Sequence, residues 1–584
     1  MQLLTVVVAR HQIGQANLSD LTLNLHYSDV KRGECSQNQK HIRYSSLSTR
    51  TYTGNMKTRL IHTFLLLLLP FFPGIASAQA KDTRPNVLLI IVDDLAAVSH
   101  LVETPSIDRI ASEGVTFTNH FANVPVCGAS RASLMSGLAP SASRFLTYDS
   151  RLDQDAPEVP TMPAWFKQHG YHTSASGKIF DVTADSQDSW SEPVWNPEGS
   201  WHGYTAIDGR ESHLQKAYLY PVAGPRLPTT EKADVDDHAY PDGQIALRVA
   251  DELRRLAAHD SPFFLAVGFR KPHLPFTAPS RYWNNEATKA PITDSNLPNR
   301  ARHRSMELRY QYDAMPLIGD MDEATAVHLR RAYFAAVRYI DAQIGIVLDA
   351  LTASGADDNT IVALTGDHGF LLGEHGMWTK HALLEPALRT PLIIRAPGSS
   401  AVTTNPVITD LLDLYPTLVD LAGINRPPHL DGASLLPVLR DPNQSSRKSK
   451  PVSISRWFNG ESARNERYRY TRWQDEAGHT LDHMLFDLTL NPGETRNIVA
   501  DPEVASVVAE LSRELDLNGG NTTWSEEMKR RVSRTARFNF PFSEYVIAAT
   551  FYPILAGLIA LILVALTAGG VWLAVLRIIQ FVRR

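Results

Sequence analysis

Three stretches of this chain are apolar on both faces and end abruptly in charge. Asn86-Val-Leu-Leu-Ile-Ile-Val92 stops at Asp93-Asp94. Pro262-Phe-Phe-Leu-Ala-Val-Gly268 stops at Arg270-Lys271, and Thr360-Ile-Val-Ala-Leu-Thr365 stops at Gly366-Asp367-His368-Gly369. Runs without polar alternation suit strands covered on both sides, as a central parallel sheet requires. Residues 104–114, 163–170 and 323–354 read as the covering helices. The pattern predicts an α/β class, with a large mixed, mostly parallel central sheet flanked by helices. In such sheets ligands gather beyond the carboxyl ends of the strands. The polar residues after the three runs are therefore expected to meet.

Two further apolar segments follow a membrane pattern. Met56-Lys-Thr-Arg59 leads into an apolar run over 64–75 and then Ala76-Ser-Ala78, so 56–78 reads as a secretory signal peptide; the alternative is a short buried helix or anchor. A signal peptide needs a nearby free N-terminus, which makes Met56 the expected initiator and 1–55 an extension from a start codon assigned too early. The run 545–576 is almost wholly apolar and long enough for ~30 Å of hydrocarbon. Arg577, Arg583 and Arg584 follow it, marking a cytoplasmic tail over 577–584. The alternative is a buried helical hairpin around Gly569-Gly570. The favoured topology puts the body in a bacterial periplasm or cell envelope, anchored in the inner membrane by its C-terminal transmembrane helix. Between the two segments lie an expected catalytic domain (84–440), a smaller C-terminal α+β subdomain (441–517) and a juxtamembrane spacer (518–544).

Composition narrows the chemistry. A net charge of −5 gives no reason to expect a nucleic-acid partner. The chain has 2 cysteines, and Cys35 precedes the expected start, so Cys127 has no disulfide partner in a processed chain. An unpaired cysteine near charge is either an inert core residue or a reactive group. Asp93-Asp94 after a strand is a metal site or a helix N-cap. With Asp367-His368 it makes three carboxylates and an imidazole, a set that suits Ca²⁺ or Mg²⁺ better than zinc. The stretch 185–237 carries Trp190, Trp195, Trp201 and Tyr204, either sugar-stacking rings or buried anchors of a loop.

An ordered set of motifs then carries a resemblance. It begins with Arg84-Pro-Asn-Val-Leu-Leu-Ile-Ile-Val-Asp-Asp94, Thr104-Pro-Ser-Ile-Asp-Arg109 and Gly114-Val-Thr-Phe-Thr-Asn119. Cys127-Gly-Ala-Ser-Arg131, Gly177-Lys-Ile-Phe180 and Gly268-Phe-Arg-Lys-Pro-His-Leu-Pro-Phe276 follow. Last come Thr365 to Lys380 and Phe486 to Glu494 with Asn497. Over 84–500 the chain resembles the type I, formylglycine-dependent sulfatases of the alkaline phosphatase superfamily. The Lys-Pro-His and Gly-Glu-His-Gly-x-Trp-x-Lys blocks look most like the iduronate-type members.

The resemblance implies hydrolysis of sulfate esters, with a sulfated sugar or polysaccharide fragment as substrate. It implies that a maturase oxidises Cys127 to formylglycine; Ala129 stands where proline is commoner. Asp93, Asp94, Asp367, His368 and the modified residue 127 would hold Ca²⁺, with Mg²⁺ the lesser candidate. Arg131 would orient the formylglycine, Lys178 and Lys380 would contact sulfate, and His273 would protonate the leaving oxygen. A hydrated aldehyde suits this chemistry. One hydroxyl attacks sulfur and displaces the alcohol; the other loses its proton as the carbonyl reforms and sulfate leaves. A helix beginning near Ser130 would favour an anion beside position 127. One position departs from the iduronate-type pattern: Asp181 stands in place of a histidine, putting a carboxylate beside the expected sulfate. Two alternatives share the scaffold, a phosphate or phosphonate ester hydrolase and a non-catalytic membrane-tethered binding protein.

Overall fold

The structure is a computed structural model describing residues 82–97, 101–197, 218–219, 227–283, 323–398, 403–441, 450–475, 477–518 and 528–531. Seven strands form the main sheet: β1 (Asn86–Val92), β2 (Val115–Phe121), β3 (His172–Gly177), β4 (Phe263–Phe269), β5 (Thr360–Gly366), β6 (Leu392–Arg395) and β7 (Thr403–Asp410). Their order is β7-β2-β6-β5-β1-β4-β3. β6 runs antiparallel to β2 and β5, and the remaining neighbours are parallel. The sheet is thus mixed and mostly parallel, as the apolar runs predict.

Alternation along β1 explains its two-sided greasiness. Val87, Leu89 and Ile91 enter one buried cluster, while Leu88, Ile90 and Val92 enter another. The helices α1 (Pro105–Ser112), α3 (Pro241–Ala257) and α4 (Glu323–Ala353) feed the second cluster. The helix α2 (Cys127–Ser136) feeds the first through Ala129, Ala132, Leu134 and Met135. Burying one leucine-sized side chain contributes about 1.5–3 kcal/mol, so both faces hold the sheet in place. Toward the C-terminus, β8 (Ser453–Trp457), β9 (Gly460–Arg464), β10 (Tyr468–Gln474) and β11 (Thr480–Asp487) form an antiparallel meander. Helix α5 (Ala505–Leu517) packs on it through Leu511 and Leu515.

The expected segments 1–55, 56–78, 545–576 and 577–584 lie outside the described residues. Among the described residues, no helix is long and apolar enough to cross a membrane. Within the expected spacer, residues 528–531 are described: Met528 is buried in the first cluster and Arg531 pairs with Asp155 at 2.5 Å. That part of 518–544 is docked on the body. Trp190 is also buried there, so this ring anchors its loop, whereas Trp201 and Tyr204 lie outside the described residues.

Candidate active site

The neighbouring parallel strands β5, β1, β4 and β3 end side by side. β5 runs into Asp367-His368, β1 into Asp93-Asp94, β4 into Arg270 to His273, and β3 into Lys178. Adjacent carboxyl ends therefore collect residues far apart in the chain. Close approach requires glycine: a Cβ on Gly268 would sit 1.9 Å from the Lys178 carbonyl oxygen.

Asp94 has φ of 62°, a left-handed conformation that costs a non-glycine residue energy. Its N–H donates to Asp367 Oδ1 at 3.0 Å and its carbonyl accepts from the Tyr333 hydroxyl at 2.8 Å, which hold the turn. Cys127 is the first residue of α2, so the helix starts at the cysteine itself rather than near Ser130. Ser130 N–H makes the bond to the Val126 carbonyl, at 2.9 Å, and Val126 offers no side-chain cap. The first-turn N–H groups of α2 thus point their partial positive charge toward the cluster. Among the described residues Cys127 is a free, buried cysteine.

The electrostatics are dense. Arg131, with 0% exposure, donates from Nε to Asp367 Oδ2 at 2.9 Å and from a terminal nitrogen to Asp93 Oδ1 at 3.1 Å. It also donates to the carbonyls of Lys178 and, at 3.1 Å, Ile179. Lys178 Nζ donates to both Asp93 oxygens, at 3.0 and 2.8 Å, and Lys380 Nζ to Asp94 Oδ1 at 2.6 Å. Burial pushes Asp93 up, but the charges of Lys178 and Arg131 outweigh it and hold the carboxyl well below its usual range. Burial raises Asp94, with Lys380 opposing and Asp93 adding to the rise. Burial and then Asp93 hold the Cys127 thiol well above its ordinary value, so the group is a thiol, not a thiolate.

Two histidines face the cluster. His368 Nδ1 donates to the Gly369 carbonyl at 2.8 Å, leaving Nε2 3.2 Å from Cys127 Sγ and 3.5 Å from Asp94 Oδ1. His273 Nδ1 donates to the Leu274 carbonyl at 2.6 Å, leaving Nε2 4.0 Å from Asp94 Oδ2. A carbonyl only accepts, so each ring carries its proton on Nδ1 and turns Nε2 inward. Burial and then Lys380 hold His273 well below the ordinary imidazole range. The neutral ring is therefore favoured in this pocket.

The donor set fits a hard dication. Ligand atoms of Asp93, Asp94, Cys127 and His273 lie within 4.8 Å of one another, as do those of Cys127, Asp367 and His368. Among the described residues, Asp94 Oδ2 is buried without a hydrogen-bond partner. Buried carboxylates crowded this way repel unless cations offset them.

Every predicted site residue, Asp93, Asp94, Cys127, Arg131, Lys178, His273, Asp367, His368 and Lys380, reaches this one place. Sequence reasoning missed the residues that hold them. Lys271, buried, donates to the carbonyls of His273 and Pro275 at 2.7 Å each, and burial lowers its pKa to about 8. Asp242 accepts from the N–H groups of Arg270, at 2.6 Å, and Lys271, at 3.2 Å. Glu385 pairs with Arg464 at 3.0 Å and Arg469 at 2.6 Å, while its N–H donates to Glu494 at 2.7 Å. That buried network ties the meander to the segment carrying Lys380. The block ending at Glu494 was the available signal. His381 stacks on Trp457, with centroids 4.9 Å apart.

Comparison with known proteins adds independent findings. The sulfatase family matches residues 85–424, and the N-sulphoglucosamine sulphohydrolase C-terminal family matches 373–519. Iduronate 2-sulfatase of Mus musculus is 33% identical over 417 residues, covering 63% of this chain and 74% of that protein. The Homo sapiens protein of the same name is 30% identical over 515 residues, covering 73% and 92%. Phosphonate monoester hydrolase of Agrobacterium radiobacter superposes with a TM-score of 0.60 at 23% identity, covering 74% of this chain and 95% of that one. This last likeness concerns the fold alone.

Proposed function

The chain belongs to the sulfatase family and is a sulfuric ester hydrolase, and from that premise we propose that its substrates are sulfated sugars or polysaccharide fragments. The nucleophile is formylglycine made from Cys127, and the metal is Ca²⁺ held by Asp93, Asp94, Asp367 and His368. The observation that carries this reading is Cys127 at the first turn of α2, with Sγ 3.2 Å from His368 Nε2 and 3.8 Å from Asp94 Oδ1. A formylglycine hydrate would supply the attacking oxygen, and Ca²⁺ held by these residues would supply Lewis acidity toward the sulfate ester. The chain's own groups do the remainder. The first-turn N–H groups, Lys178 and Lys380 bind the sulfate oxygens and stabilise charge that builds on them. Arg131 orients residue 127 by fixing Asp93 and Asp367 around it. His273 Nε2, once protonated, delivers the proton to the leaving oxygen.

The reading is tested on protein co-produced with a formylglycine-generating maturase. Peptide mass spectrometry is expected to find the thiol at 127 replaced by an aldehyde, with turnover of sulfate esters exceeding that of matched phosphonate esters. Unmodified Cys127 in active protein, or a preference for phosphonates, refutes it. The signal peptide and the 545–576 anchor, read from the sequence, put the catalytic body in the periplasm or cell envelope. Truncation after Phe540 is expected to release active soluble enzyme while keeping the docked residues 528–531; protein of full length that leaves membranes in carbonate alone counts against the anchor.

A further inference from the structure

At the rim of this pocket stands a carboxylate that the proposed chemistry does not use. Asp181 Oδ1 lies 2.8 Å from Lys178 Nζ, the same ammonium that donates to Asp93 Oδ1 at 3.0 Å and Oδ2 at 2.8 Å. An ammonium has three N–H donors, and these three oxygens match them. Exposure falls along the series, from 27% at Asp181 to 5% at Lys178 and 0% at Asp93. Asp181 is therefore the solvent-side end of a charge relay that leads into the cluster. Deeper in, Arg131, Lys178 and Lys380 are matched against Asp93, Asp94 and Asp367. Asp181 puts a further carboxylate at the solvent-side end of that series, beside Lys178.

Resting on the sulfate-ester reading, we infer that Asp181 is a specificity-determining residue: it disfavours sulfated rings that carry a carboxylate beside the ester and favours rings that present hydroxyl or ammonium donors there. A sulfate oxygen that takes one Lys178 donor leaves Asp181 facing the substituent next to the ester. A hydroxyl or ammonium donates to it, whereas a carboxylate meets a like charge in a partly water-excluded site. Two unit charges about 6 Å apart at an effective permittivity near 20 separate the two substrates by roughly 10- to 100-fold. The residue acts on selection, not on the reacting atoms.

The test pairs a 2-O-sulfated hexuronic acid with the matching 2-O-sulfated hexose, using matured full-length protein. The wild type is expected to favour the hexose ester by about 10- to 100-fold in kcat/KM. Asp181→Asn, which removes charge but little shape, is expected to bring that ratio close to one, chiefly by lowering KM for the uronate ester. Raising the salt concentration should narrow the wild-type ratio in the same direction. A wild type that prefers the uronate ester overturns the inference. So does an Asp181→Asn variant that loses kcat equally on both esters with the ratio unchanged, since Asp181 would then only hold Lys178. Failure of the underlying reading looks different: the matured protein turns over phosphonates and neither sulfate ester. The two sugars are then compared as ligands of Cys127→Ala by calorimetry, where equal affinities overturn the role of Asp181.

Discussion

Replacing Arg131 by alanine removes one side chain from four partners at once. The guanidinium is fully buried and serves Asp367 at 2.9 Å, Asp93 at 3.1 Å and the carbonyls of Lys178 and Ile179. Breaking a buried ion pair from one side costs about 3–5 kcal/mol, because the partner charge stays behind without water. Here two carboxylates are left, but Lys178 still faces Asp93 and softens that half of the loss. Each orphaned carbonyl adds about 1 kcal/mol or more. The expected total is about 5–7 kcal/mol, roughly 10⁴- to 10⁵-fold in the folded-to-unfolded ratio. Arg131→Lys keeps a charge without the fork and is expected to lose about 2 kcal/mol. Urea unfolding followed by tryptophan fluorescence measures both. The double variant Arg131→Ala with Asp367→Asn is expected to be more stable than the summed single losses by about 1–3 kcal/mol, since the second change removes the stranded charge. An Arg131→Ala protein within 1 kcal/mol of wild type, or strict additivity in the cycle, refutes the argument. Activity adds a second readout: misplacing the residue at 127 by about 1 Å is worth on the order of 10² in kcat.

Three further outcomes follow from the same geometry. Cys127→Ala should abolish sulfate release while leaving the urea midpoint near wild type, because the side chain at 127 is small and its polar contacts are to Asp94 and His368 of the cluster; residual turnover at wild-type level would remove the nucleophile from the mechanism. Chelation should lower the melting temperature and activity together, and Ca²⁺ at 100 times its Kd should restore about 2.7 kcal/mol; Asp367→Ala should show neither response. Lys271→Met should cost about 2–4 kcal/mol by orphaning the His273 and Pro275 carbonyls, and kcat should fall with stability because the same clamp positions His273. Unchanged kcat in Lys271→Met would separate the clamp from catalysis.

Local pattern in the sequence determined which segments became buried strands and what stood at their ends. Apolar residues at every position of 87–92 and 361–364 leave no face for water, so these strands are central, and the charged residues behind them must emerge at the rim. That logic works within ten residues, which is why Asp93-Asp94 and Asp367-His368 were legible as one site. Tertiary structure alone decided what it depended on over longer range. Strand order put β3 beside β4, and only that brings Lys178 within 2.8 Å of Asp93, 85 residues away. Lys380 reaches Asp94 across 286 residues through a segment tethered by Glu385 and Glu494. The start of α2 at Cys127 carried no capping side chain to announce it, since Val126 precedes it. The ring orientation of His273 depends on one carbonyl of its own loop, and the pairing of Asp181 with Lys178 depends on how β3 ends. Burial and charge pairing are set by the whole surroundings of a group, so residue type and spacing could nominate these side chains but not orient them or fix their protonation.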